Sequence, residues 1–279
     1  MKKGFVFFLV LAIVLGISGL NEASAAQEDE FSDPFMPVKI ILPDGAVVDT
    51  LLTGYVGKHE ALVPLSVVTD YLKSGYSVEA DGFGLYVRAA SPTFSLETLR
   101  LNEWIRDGVD FRLNAVAVNG APYINLKGLE KFFGFSLEKT AGTPALLIRQ
   151  RTEPTAGVKL HEMRPTGKQP GKISLVWDHV LGEPADLARE AKIPGLTVIS
   201  PTWFAVTDSS GTLASKADWK YVQDAHDKGY KVWPLISNSF EPDMTKVFLA
   251  DEAAQDRAVR QLLMFTALYD LDGINIDFE

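Results

Sequence analysis

The 279-residue chain is 47% hydrophobic and 23% charged, with a net charge of −9 and no cysteine. That balance is globular and excludes disorder over most of the length. The negative charge argues against nucleic acid and anionic lipid as partners, and the lack of cysteine excludes a disulfide framework and a lipoprotein anchor.

Lys2 and Lys3 precede an apolar run, Phe5 to Leu20, and Ala23-Ser24-Ala25 supplies a small-x-small cleavage site. The run is short for a membrane span, which needs about 20 residues. Residues 1–25 therefore read as a signal peptide, and cleavage would leave a mature charge of −10, because Lys2, Lys3 and Glu22 go with it. The expected location is bacterial and extracellular, secreted or cell-wall-associated, with no stable membrane anchor after cleavage. Residues 26–37 read as a short acidic linker.

Residues 38–150 alternate short strands with a little helix and contain an internal repeat. Ala61-Leu62-Val63-Pro64-Leu65 leads to Tyr71-Leu72, then to Gly75-Tyr76-Ser77-Val78 and Leu85-Tyr86-Val87-Arg88. Pro122-Tyr123-Ile124-Asn125-Leu126 leads to Phe132-Phe133, then to Gly134-Phe135-Ser136-Leu137 and Leu146-Leu147-Ile148-Arg149. Each unit reads as strand, short amphipathic helix, Gly stop and two-stranded ribbon, and two such units make a small α+β domain. The pattern resembles the copper amine oxidase N-terminal-like domain of exported Gram-positive proteins. The name does not imply copper: this region offers His59 alone, and one histidine is not a metal site.

Residues 151–171, with Pro154, Pro165, Pro170 and three glycines, read as a second linker. Beyond it, apolar strands alternate with helices. Strands are expected at Ile173 to Trp177, Leu196 to Ser200, Lys231 to Ile236 and Gly273 to Phe278. Helices are expected at Pro184 to Ala191, from a capping box at Ser215 and Asp218 to near Gly229, and from Asp251 to Asp270. Alternation of this kind argues for a parallel sheet of βαβ units.

The last strand carries the chemistry. Side chains repeat every two residues, so Ile274, Ile276 and Phe278 share one face, and Asn275, Asp277 and Glu279 share the other. In a (β/α)8 barrel the apolar face would meet the helices. The polar face would line the interior, with the last residue nearest the C-terminal rim, where active sites sit. A polar strand facing water and a hard-cation site are the alternatives. The first fits poorly, because acids here alternate with large apolar residues inside a βαβ texture.

Asp272-Gly273-Ile274-Asn275-Ile276-Asp277-Phe278-Glu279 resembles the glycoside hydrolase family 18 pattern Asp-Gly-x-Asp-x-Asp-x-Glu, departing only at Asn275. Ser200-Pro201-Thr202-Trp203-Phe204 and Gly229-Tyr230-Lys231-Val232-Trp233 resemble the chitinase-like branch found on bacterial spore and cell-wall enzymes. The resemblance covers residues 172–279. It implies an α/β fold: a partial (β/α)8 TIM barrel, the first four strands only, preceded by a small α+β domain. A whole barrel takes about 250 residues, so the 108 residues present are expected to be an inactive N-terminal half.

The resemblance further implies hydrolysis of β-1,4 bonds beside N-acetylglucosamine in chitin or peptidoglycan. Retention in this family comes from attack by the substrate's own acetamido oxygen. Glu279 would be the general acid and then the base for water, and Asp277 would orient the acetamido N–H and stabilise the oxazolinium. Asp272, of opposite parity, and Gly273 would support the motif. Asn275 cannot titrate, but its amide can donate to Asp277. Trp177, Trp203 and Phe204 are candidate sugar platforms, Trp233 reads as core, and Asn238 is a candidate polar contact. No cofactor or metal motif is visible. The alternative function is a non-catalytic, lectin-like or wall-associated protein.

Overall fold

The computed structural model describes residues 35–72, 76–80, 84–89, 111–140, 142–151, 171–182 and 185–279. The signal-peptide and cleavage-site readings, and almost all of both linkers, lie outside these residues. No helix among them is long and apolar enough to cross a membrane.

Among the described residues, the N-terminal module contains ten strands. A seven-stranded sheet brings together β1 (Met36–Ile41), β2 (Val47–Val56), β3 (Ala61–Pro64), β7 (Val116–Val118), β8 (Ala121–Asn125), β9 (Phe135–Lys139) and β10 (Leu146–Gln150). A three-stranded sheet holds β4 (Tyr76–Ala80), β5 (Gly84–Ala89) and β6 (Phe111–Asn114). The sequence repeat has a structural counterpart. β3 leads through a π-helical turn, Val67–Tyr71, to the β4–β5 hairpin, and β8 leads through α1 (Glu130–Phe133) to the β9–β10 hairpin. The leading strands of the two units pair antiparallel, Leu62 opposite Asn125 and Val63 opposite Ile124. Gly134 stops α1 at φ +71, a left-handed conformation that glycine adopts without a Cβ penalty.

The second region is α/β with a parallel sheet. β11 (Leu175–Asp178), β12 (Val198–Val206), β15 (Leu235–Ser237) and β16 (Asn275–Asp277) lie side by side in chain order, each parallel to the next. β13 (Leu213–Ser215) folds back antiparallel on the end of β12. The expected third strand is split: β14 (Lys231–Val232) pairs with the start of β12 and β15 with its later half, with Trp233-Pro234 between them. Pro234 lacks an N–H but still accepts from Asn275 N through its carbonyl.

Among the described residues, three helices cover this sheet: α2 (Trp219–Asp227), α3 (Pro242–Ala250) and α4 (Glu252–Tyr269). The cap of α2 is Asp218, whose side chain accepts from Tyr221 N at 2.6 Å, rather than Ser215, which ends β13. Asp251 caps α4, accepting from Ala253 and Ala254 N–H. The reading of the sequence missed α3, which opens with Pro242 in its first turn, a position where the missing N–H costs nothing. In place of the helix expected over Pro184 to Ala191, the described residues from Ala185 form tight turns, such as Arg189 N to Asp186 O at 3.1 Å. The Asp186 carboxylate binds Lys220 and the backbone of its own loop at Ala188, and such local side-chain bonds compete with helix.

The module and the second region touch through β13, α2 and α4. Phe111 meets Phe265 edge-on, with centroids 6.1 Å apart. Asn114 donates to the Ser215 carbonyl. The Trp219 ring lies where a Cβ on Gly128 would sit.

Candidate active site

The two faces of the parallel sheet can be assigned from register. Residues paired side by side share a face, so Trp177 shares one with Ser200, Thr202 with Leu235, and Leu235 with Asn275. Asn275 Nδ2 donates to Ser200 Oγ at 3.2 Å, passing over β15 to reach the next strand but one. Contact between alternate strands within one layer is how side chains pack inside a (β/α)8 barrel. We take this as the inner face. Asp277, beside Ser237, continues the row.

Glu279 lies two residues past the paired end of β16. Phe278 packs towards the helices, 6.3 Å from Phe248 of α3, so the exposed Glu279 alternates to the inner side. Its main chain is clamped by Asn238. The Asn238 amide donates to Glu279 O at 2.6 Å and to Thr245 Oγ1 at 2.9 Å, and its Oδ1 lies 3.5 Å from Glu279 N. Asn238 is 1% exposed; it holds the strand end and does not offer itself to a ligand.

The opposite face meets the helices. Ile274 and Phe278 pack against the core, but Ile276, on the edge strand β16, is 71% exposed. Asp178 on the other edge strand accepts from Tyr221 Oη at 2.7 Å. Burial, and then Asp178, push the Tyr221 hydroxyl well above its usual range.

Trp203 and Phe204 also face the helices. Trp203 does so by plain alternation with Thr202, and the register slip between Thr202 and Phe204, a β-bulge, turns Phe204 out of the cleft as well. Trp203 packs edge-on against Tyr221 at 5.1 Å, and Phe204 stacks on Phe265 at 5.2 Å; both are buried. Neither can floor a sugar site as the sequence suggested. Trp177 can: it is 62% exposed and on the inner face. Phe240, which the sequence reading passed over, is an exposed ring in the loop after β15. The available signal was an aromatic directly following the polar run Ser237-Asn238-Ser239. Both Ser239 and Phe240 adopt positive φ of 56°, a strained conformation that concentrates at functional loops.

Asp272 and Gly273 set up the motif strand. A Cβ on Gly273 would lie 2.9 Å from Trp233 Cδ1 and Nε1, so glycine is required for the indole to cross there. Asp272 Oδ2 accepts from His226 Nε2 and from Val232 N, each at 2.9 Å. Burial raises the Asp272 carboxyl. The His226 bond, the Val232 N–H and the charges of His226 and Lys231 outweigh it, and the group sits below the usual carboxylate range. A depressed folded pKa contributes stability that is present above the unfolded value of about 3.9 and lost as pH falls through the folded value. Asp272→Asn is therefore expected to flatten the acid limb of stability below about pH 4. Thermal melts from pH 2 to 7 check this, and an unchanged acid limb would show that the pair is inert.

The chain matches no protein-family profile and no curated relative. Three solved structures align with part of it. The C-terminal domain of a candidate chitinase from Desulfitobacterium hafniense DCB-2 shares 24% identity over 39% of this chain and 34% of its own, with a TM-score of 0.32. The Bacillus cereus spore cortex-lytic enzyme SleL shares 24% identity over 38% and 27%, with a TM-score of 0.35. A chitinase from Bacteroides thetaiotaomicron shares 21% over 39% and 36%, with a TM-score of 0.31. The chain thus spans about a third of each structure, and likenesses this slight decide nothing about the reaction.

Proposed function

We propose that residues 172–279 are the first half of a (β/α)8 glycosidase barrel of the family 18 type, acting on N-acetylglucosamine polymers outside the cell. The observation that carries this reading is the Asn275–Ser200 bond across β15. It supports reading the polar row of the motif as an inner face, with Asp277 on the strand and Glu279 at its C-terminal end. The signal-peptide pattern supports export, and the negative chain suits an uncharged glycan better than a polyanion.

Glu279 protonates the glycosidic oxygen as the acetamido oxygen attacks the anomeric carbon from the opposite side, then takes a proton from the water that opens the oxazolinium. Asp277 receives the acetamido N–H and faces the developing positive charge. Asn275 spends its amide on Ser200 in this structure, so it acts here as a tie between strands. Trp177 offers a ring for stacking at the cleft edge.

Two inversions at one carbon restore the starting configuration. A proton NMR time course of N-acetylglucosamine oligomer cleavage by the intact gene product is expected to show the β-anomer first. Initial release of the α-anomer would exclude this mechanism, since an inverting enzyme sets its carboxyls about 6.5–9.5 Å apart across the sugar.

A further inference from the structure

We propose that His59, Asp224 and Asp227 form a binding site for a divalent transition-metal ion of the zinc class, which pins the N-terminal module to helix α2. The site is separate from the motif strand and does not depend on the reading of its chemistry.

Read along the chain, His59 stands alone in its module. The fold brings it to two carboxylates from the other region, three residues apart on α2. The three donor atoms lie within 4.8 Å of one another. His59 Nε2 is 2.8 Å from Asp227 Oδ2 and 3.9 Å from Asp224 Oδ1. Donors around a tetrahedral ion with bonds of about 2.0–2.1 Å stand about 3.3 Å apart, a value the two distances bracket. Small rotations of the side chains would close the set.

Asp224 is built for the role. The residue is 5% exposed. Lys220 holds its Oδ2 at 3.0 Å, as an outer partner orients a ligating carboxylate. Its Oδ1 points towards His59 beyond hydrogen-bond reach. Asp227 is half exposed, leaving room for water at a fourth position. One imidazole and two carboxylates suit zinc better than calcium or magnesium, which favour all-oxygen shells.

Lys58 is the competitor. Its Nζ lies 2.6 Å from Asp227 Oδ2 on a largely exposed side chain, a mobile cation beside the place the metal would take. This sets the metal site apart from a plain ion-pair network. In a network Lys58 is a contributor, whereas at a metal site it is a rival.

The test is calorimetric titration of zinc chloride into the purified, chelator-stripped protein, with melting curves alongside. One ion per chain is expected, with a higher melting temperature when loaded. His59→Gln and Asp227→Asn should each weaken binding by at least about tenfold, while Lys58→Met should tighten it. These three side chains are at least partly exposed, so the variants are expected to fold, and melting of the metal-free forms verifies it. Absence of saturable binding, binding indifferent to His59→Gln and Asp227→Asn, or weaker binding in Lys58→Met would each overturn the proposal.

Discussion

In the intact gene product, Glu279→Gln is expected to lower turnover of N-acetylglucosamine oligomers by a factor on the order of 10²–10⁴ while leaving oligomer binding intact. Gln keeps the size and hydrogen-bonding reach of Glu but can neither deliver a proton to a leaving oxygen nor take one from water. The substitution should also leave the fold alone. Asn238 grips residue 279 through its main-chain N–H and carbonyl, and the side chain is exposed. A fall in rate with an unchanged melting curve would therefore report chemistry. A variant keeping more than about a tenth of the turnover would remove Glu279 from the general-acid role.

Trp203→Ala is expected to cost about 3–5 kcal/mol of stability. The ring is among the largest fully buried side chains, wedged edge-on against Tyr221, so truncation leaves a cavity as well as losing transfer energy. Its Nε1 has no hydrogen-bond partner among the described residues, so no lost polar contact enters the sum. Trp177→Ala is the control: its ring is mostly in solvent, and its loss should reduce glycan affinity with little change in melting temperature. Chemical denaturation of both variants separates the roles. Equal stability in the two would contradict the placement of Trp203 in the helix-facing core.

Phe204 shows where the sequence stops being legible. Period-two counting puts Asn275, Asp277 and Glu279 on one face, and it works because that stretch is regular and its partners are few. On β12 the same counting fails at the bulge between Thr202 and Phe204, which no local residue pattern announces. Phe204, apparently at a strand end, thus became core, on a strand that runs on to Val206. Gly229 and Asp251 marked helix ends because capping is local chemistry. The roles of Asn238 and His59 were hidden for the opposite reason. Asn238 clamps a main chain 41 residues away, and His59 meets Asp227 across a separation of 168; only tertiary packing creates such pairs. The split of the third strand was readable in principle, since Pro234 cannot donate to a ladder.

The claim at the centre of this account is that the inner row of β16 serves a reaction in which the substrate supplies its own nucleophile. Its most direct measurement is the rate at which the intact gene product cleaves a β-1,4-linked N-acetylglucosamine oligomer, set beside the same oligomer with its acetamido groups removed to free amines. Loss of a well-placed internal nucleophile forfeits a large effective concentration, so the deacetylated oligomer should react at least about 10³-fold more slowly. Comparable rates on the two oligomers would contradict the claim, because the attacking group would then have to come from the protein or from water.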